Sequence, residues 1–244
     1  MAKYGPNDVA VLVHGHAITN NTLVLEAEVE AVLEEGTHGF GVAWVESEDV
    51  GVRKWSASLE GHYDDDDGQT EDAFVGHEGA DRVVALGIEG NAQGKKCLCG
   101  IAITSKVVRK PGRGQLSKIS AEFMGDGVLS DAVIVQSLAA ESGAGATSDG
   151  SLDNSASSSA GGTGYLQVTD LALGGYTSVT VKIQDSPDDS AWTDLITFTA
   201  VTADDFAQAV AVTGTVDRYL RVELTLNGAG SGESITLLVA FERD

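Results

Sequence analysis

Residues 137–164 read SLAAESGAGATSDGSLDNSASSSAGGTG, with Leu138 and Leu152 as the only large apolar side chains. A segment this poor in apolar groups cannot bury enough area for a core of its own. On both sides the chain alternates apolar and polar residues in short runs. The stretch is therefore either a linker or the lightly packed edge of a folded unit. Ala144–Ser148 and Ser155–Ser159 are runs of small residues around the turn signal Asp153-Asn154. They predict a thin first hairpin of a second domain, with a linker of only 137–142. The reading that follows is all-β and two-domain: residues 1–136, a β-sandwich or barrel with one short helix, and residues 143–244, an antiparallel sandwich of Ig-like or jelly-roll-like kind.

Working outward, Asp8–Ile18 reads as a first strand. Leu23, Leu25, Ala27, Val29 and Ala31 then alternate with Val24, Glu26, Glu28 and Glu30, a half-buried strand closing near Gly36. Phe40–Val45 and Lys54–Tyr63 are further strands. Thr70–His77 is the best helix candidate, with Thr70 as N-cap and Glu71-Asp72 in its first turn. Arg82–Glu89, Lys95–Val108, Gln115–Met124 and Val128–Gln136 complete the first half, with Gly125-Asp126-Gly127 as a tight turn. In the second half, strands are expected at Tyr165–Asp170, Ser178–Asp185, Trp192–Ala200, Ala209–Thr213, Tyr219–Leu226 and Ile235–Glu242. Short connections between them imply antiparallel pairing and leave no room for crossover helices.

Composition limits the function classes. The chain has 244 residues and a formal net charge of −22, shared equally by residues 1–136 and 137–244. Contact with a nucleic acid backbone needs Lys and Arg, so DNA binding is not expected. An acidic surface suits only DNA that must pass without sticking. No apolar leader with a cleavage site and no run of about 18 apolar residues is present, so neither secretion signal nor membrane helix is expected.

Cys97 and Cys99 point to one face of a strand and are expected as two small buried or half-buried thiols, because a bridge between i and i+2 is strained. His14 and His16 share a face, and His38, His62 and His77 have no spacing that requires convergence with them. Asp64–Asp67 before Gly68 fails the EF-hand spacing: the first ligand position falls on Tyr63 and the twelfth on Phe74. It reads as a solvated turn. No nucleophile elbow, phosphate loop or dinucleotide fingerprint occurs, so neither an enzyme nor a cofactor is expected. One contrast stands out. Lys106, Arg109, Lys110, Arg113 and Lys118 cluster about one hairpin loop in a chain with 15 basic residues. They read as a solvated loop or as a contact to acid on a neighbouring copy, with Asp64, Asp65, Asp66 and Asp67 the candidate acids.

The order of these features resembles that of the tail tube proteins of long-tailed, siphovirus-type bacteriophages. The residues that carry the likeness are the strand ending at GHYDDDDG (61–68), the helix at TEDAFVGH (70–77) and the long hairpins ending in ISAEFMGDGVLSDAVIV (119–135). The second half, through VKIQDSPDDSAWTDLITFTAV (181–201) to VAFERD (239–244), is similar to sandwich domains appended to such proteins. The resemblance implies a virion structural protein of the tail, assembled in the host cytoplasm. Its copies would form hexameric rings stacked as a tube, with the second domain outside. Its partners would be itself and other tail proteins. DNA would pass without specific binding, no membrane would be involved, and no catalytic residues carry over. Truncation after Gln136 is then expected to leave a first half that still assembles. Two alternatives stay open, a capsid decoration protein and a virion protein that binds host-surface carbohydrate.

Overall fold

The computed structural model describes residues 9–35 and 47–244. The strand expected at Phe40–Val45, the turn at Gly36, Asp8 and His38 lie outside the described residues.

The protein is all-β with one short helix. The expected first strand is instead a tight hairpin. β1 (Ala10–Val13) turns through His14-Gly15 into β2 (His16–Ala17), with Val13 opposite His16. Both turn residues have positive φ, +49° and +91°, the two-residue turn whose twist matches its flanking strands. A two-residue turn keeps the alternation in step, so periodicity alone does not reveal it. A 3-10 turn at Thr19–Asn21 leads into β3 (Thr22–Glu35), which pairs along its length with β4 (Ser47–His62). The helix α1 (Thr70–Phe74) is shorter than expected, and its N-cap is Gln69, not Thr70. Thr70 sits inside the first turn, where its hydroxyl donates to the His62 carbonyl at 2.8 Å and accepts from the Asp64 N–H at 3.0 Å. Asp72, in the first turn, accepts the Gly68 N–H at 3.0 Å and ties the helix to the loop before it.

β5 (Asp81–Gly87) and β6 (Lys96–Lys110) lead to β7 (Lys118–Glu141), a single strand of 24 residues. Gly125-Asp126-Gly127 runs on within it into a bulge and is not a turn. Cys99 pairs with Ser130 and Ile101 with Asp126, so residues 127–129 stand opposite Gly100 alone. The same strand continues to Glu141, so residues 137–141 of the expected linker are strand. The remaining strands are β8 (Gly145–Asp153), β9 (Gly162–Ala172), β10 (Ser178–Ser186), β11 (Thr193–Thr197), β12 (Phe206–Val212), β13 (Tyr219–Asn227) and β14 (Ser234–Arg243). The hairpin expected between Ala144–Ser148 and Ser155–Ser159 does not form. β8 pairs with β13 instead, and Ser158 makes only an isolated bridge to Val216.

Among the described residues, ten strands make one antiparallel sheet, ordered β12-β9-β14-β7-β6-β5-β1-β2, with the β3–β4 ribbon attached through β4 to the start of β7. The other four, β11-β10-β13-β8, make a second sheet. The large sheet curls until β2 lies against β9 and β12 against β5. Alternation along each strand then supplies two cores at once. On β1, Ala10 and Leu12 point into the curl while Val11 and Val13 point out of it. On β14, Leu238 and Ala240 point in while Leu237, Val239 and Phe241 point to the second sheet. Small side chains such as Ala10, Ala85, Cys97, Cys99, Ala132 and Ala240 dominate the inside of the curl, which lets its walls approach closely. Outside it, one core gathers Trp55, Phe74 and Phe123 under the β3–β4 ribbon and α1. Another gathers Leu166, Ile183, Phe198 and Leu220 between the two sheets. The two halves of the sequence thus share one sheet and one central core.

Candidate functional site

The basic hairpin is largely neutralised within the chain. β4 and β7 pair with His62 opposite Lys118, and this register sets Glu60 between two lysines. Lys118 donates to Glu60 at 2.9 Å and Lys110 donates to its other oxygen. These two bonds hold the Glu60 carboxyl down at about 2. Lys106 pairs across the strands with Glu122 at 2.8 Å, and Arg109 makes a forked contact with Glu71 on α1. Such exposed pairs are screened by water and salt and contribute little to stability. Of the five candidate cations, only Arg113 makes no ion pair among the described residues. The sequence could not reveal these partners, because each depends on strand register between segments far apart in the chain. In the acidic loop, Asp64 accepts from the Asn21 amide at 3.0 Å and from the Asp66 N–H at 3.1 Å. Asp65, Asp66 and Asp67 remain exposed. Among the described residues no group of three or more His, Cys, Asp or Glu side chains is placed to hold a metal ion.

A second surface is the β3–β4 ribbon. Among the described residues β3 pairs with β4 alone, so one edge of this 14-residue strand is open. Leu23, Val24 and Val29 on it are 47%, 46% and 58% exposed. One face of the ribbon joins β7 and β6 to form a shallow groove lined by Glu26, Glu28, Ser56, Ser58, Glu122 and Met124. Its polar character follows from alternation, since Leu25, Leu59 and Phe123 take the opposite, core-facing side.

The third site went unread in the sequence. An open cleft of about 610 Å³ lies where β1–β2, α1 and β5 meet the loop before β12. His14, His16 and His77 converge there, with Asp67, Asp72, Asp81, Arg82 and Asp205. A Cβ on Gly15 would stand 2.5 Å from the Asp205 backbone, so only glycine lets the turn reach the second half. His16 Nδ1 lies 3.1 Å from an Asp205 oxygen, but without hydrogen-bond geometry. The two do not act as an ion pair, because both shift toward neutrality. Burial, helped by the Arg82 charge, lowers His14 and His16 to about 4. Burial and the neighbouring Asp204, Asp67 and Asp72 raise Asp205 to about 6. Only the repeated His-x-His pattern hinted at this cluster, since its other members come from distant segments.

Among the described residues, the rings of Tyr165, Trp192 and Tyr219 form no open platform. Tyr165 is buried and donates to or accepts from Ser130 at 2.8 Å, and burial raises its phenol to about 12. The Trp192 ring lies under the Arg221 guanidinium, 4.3 Å from its centre, and Tyr219 lies under Arg218. The two thiols are free and buried, as their spacing suggests, with sulfurs 3.4 Å apart.

No family model and no curated protein matches the chain. Among solved structures it is similar to the tail protein of an empty gene transfer agent particle refined with C6 symmetry. The identity is 18%, covering 53% of this chain and 98% of that one, with a TM-score of 0.38. A chain of the native gene transfer agent virion is 16% identical over 52% of this chain and 97% of that one, with a TM-score of 0.37. The SPP1 Dit protein, described as a hub of the adsorption apparatus in phages infecting Gram-positive bacteria, is 12% identical. That match covers 96% of this chain and 98% of the other, with a TM-score of 0.34.

Proposed function

We propose that this chain is a structural protein of a phage-type tail, located in the virion, whose copies assemble into stacked hexameric rings that form a tube for DNA passage. The observation that carries this reading is the β3–β4 ribbon. Its long open edge bears exposed Leu23, Val24 and Val29, the kind of edge that pairs with another chain unless something covers it. The grooved face beside it carries Glu26, Glu28 and Glu122, which repel phosphate and suit a wall that DNA must slide past. The second sheet, on the far side of the curl, is assigned to the tube exterior, where other tail proteins would meet it. The carbohydrate-binding alternative loses support from Trp192 and Tyr219, whose rings are covered by arginines.

Negative-stain images of the purified protein test the reading. Six-fold rings or tubes are expected, and discrete monomers or trimers overturn it. The edge itself is tested by Val29→Lys. Val29 is 58% exposed, so unfolding stability is expected to change by less than about 0.5 kcal/mol while ring formation is lost. Rings that persist in this variant would remove β3 from the interface. For the acid–base contact between copies, Arg113 and Asp65–Asp67 are the groups still available. Arg113→Glu is expected to weaken assembly mainly at low salt, where the Debye length is longest. Unchanged salt dependence counts against that contact.

A further inference from the structure

Asn-Gly is the pair that best suits a two-residue turn with both φ values positive, because the short amide tolerates the left-handed region. This chain places His14-Gly15 there, at +49° and +91°. What histidine adds over asparagine is a proton that comes and goes near neutral pH. We propose that the His14-Gly15 turn is an acid-released latch joining the two halves of the chain.

The geometry requires an unprotonated ring. His14 Nδ1 accepts the Val83 N–H at 3.3 Å, and a protonated imidazole offers no acceptor there. A positive ring would also stand beside the Arg82 guanidinium, which is only 4% exposed. The next residue makes the join. Gly15 N–H donates to Gln167 Oε1 at 2.6 Å, and Gln167 Nε2 donates to the Val83 carbonyl at 2.9 Å. Val83 therefore serves both His14 and Gln167, and a change at His14 is felt at the join to β9.

Charged and titratable groups face the turn from every element around it. His16 comes from β2, Asp81 and Arg82 from β5, Asp67, Asp72 and His77 from α1 and its flanks, and Asp204 and Asp205 from the loop before β12. The closed latch holds His14 and His16 neutral down to about 4 and also lowers His77, chiefly by burial. The contribution of His14 and His16 is complete above the ordinary 6.5 and is lost as pH falls from 6.5 to about 4. Asp205 works in the opposite direction: raised from 3.8 to about 6, it favours the closed form increasingly as pH falls through that window. Opening near pH 5 thus takes up protons on the His14 and His16 imidazoles and releases one from the Asp205 carboxyl, a net uptake. Acid opens the latch.

Amide exchange at Gly15 in the full chain reads the latch directly. After correction for intrinsic exchange, its protection is expected to fall about 10-fold further between pH 7 and 4.5 than that of amides in the second sheet. His14→Asn keeps an acceptor for Val83, fits the turn and cannot titrate. At pH 7 its Gly15 protection and thermal midpoint are expected to equal or exceed those of the wild type. Its extra acid loss is expected to shrink about 10-fold. An acid loss in His14→Asn equal to that of the wild type overturns the proposal. So does wild-type protection at Gly15 that follows the second sheet at every pH.

Discussion

Truncation after Gln136 is expected to give an insoluble or unfolded fragment rather than a first half that still assembles. The cut removes β9, β12 and β14, the strands that close the curl. Their departure uncovers Leu12, Val83, Cys97, Cys99, Ala132 and Ile134, all now buried against Tyr165, Leu238 and Ala240. Exposing each large apolar side chain costs about 1.5–3 kcal/mol, and the fragment would lose several at once. A whole domain is stable by only about 5–15 kcal/mol. The cut also strips β14 from β7, where Val133, Ile134 and Gln136 now pair with Phe241, Ala240 and Val239. The result is a fresh open edge beside an exposed apolar face, a combination that favours aggregation. Soluble yield, size-exclusion profile and circular dichroism of residues 1–136 measure the outcome. A soluble fragment with cooperative unfolding would show that the halves are separable after all.

What the sequence conveyed and what it hid follow from the range of the interactions. The strands of the second half were legible because alternation is local: Val179, Val181 and Ile183 face the core while Thr180 and Lys182 face out. The β3 ribbon was legible for the same reason. The strand placement beyond Glu141 was less so, because residues 145–153 carry almost no apolar signal and are held as a strand by β13. The sharing of one sheet between the halves had no local sign. It rests on β7 running straight through the residues poorest in apolar groups, where pairing with β14 supplies what the side chains do not. The cleft was hidden for a related reason. His14 and His16 share a sequence motif, but Arg82 is brought beside them by the β1–β5 pairing and Asp205 by the curl of the sheet, and neither has a local sign. Likewise the basic hairpin was legible as a cluster, whereas Glu60, Glu71 and Glu122 as its partners were not.

Gly125→Ala is expected to destabilise the protein by about 1–3 kcal/mol or more, the usual range for overpacking a close-packed site. The glycine-rich run 125–127 suggested a turn, but its first glycine is needed for space. A Cβ there would lie 2.1 Å from Trp55 Nε1 and 2.3 Å from two ring carbons. Gly100 on β6 stands under the other end of the same indole, where a Cβ would lie 2.7 Å from Cζ2. The ring therefore lies flat across two glycines on adjacent strands, at the bulge where residues 127–129 face Gly100. Trp55 is 5% exposed and belongs to the core with Phe123 and Leu59, so it has little room to retreat. Chemical unfolding followed by tryptophan fluorescence measures the loss. If the cause is this contact, combining Gly125→Ala with Trp55→Leu should cost less than the two single changes added together, since the smaller side chain vacates the clash. Strict additivity would place the cost elsewhere, in the bulge backbone. The ring would then be a bystander to a glycine required for the bend of β7.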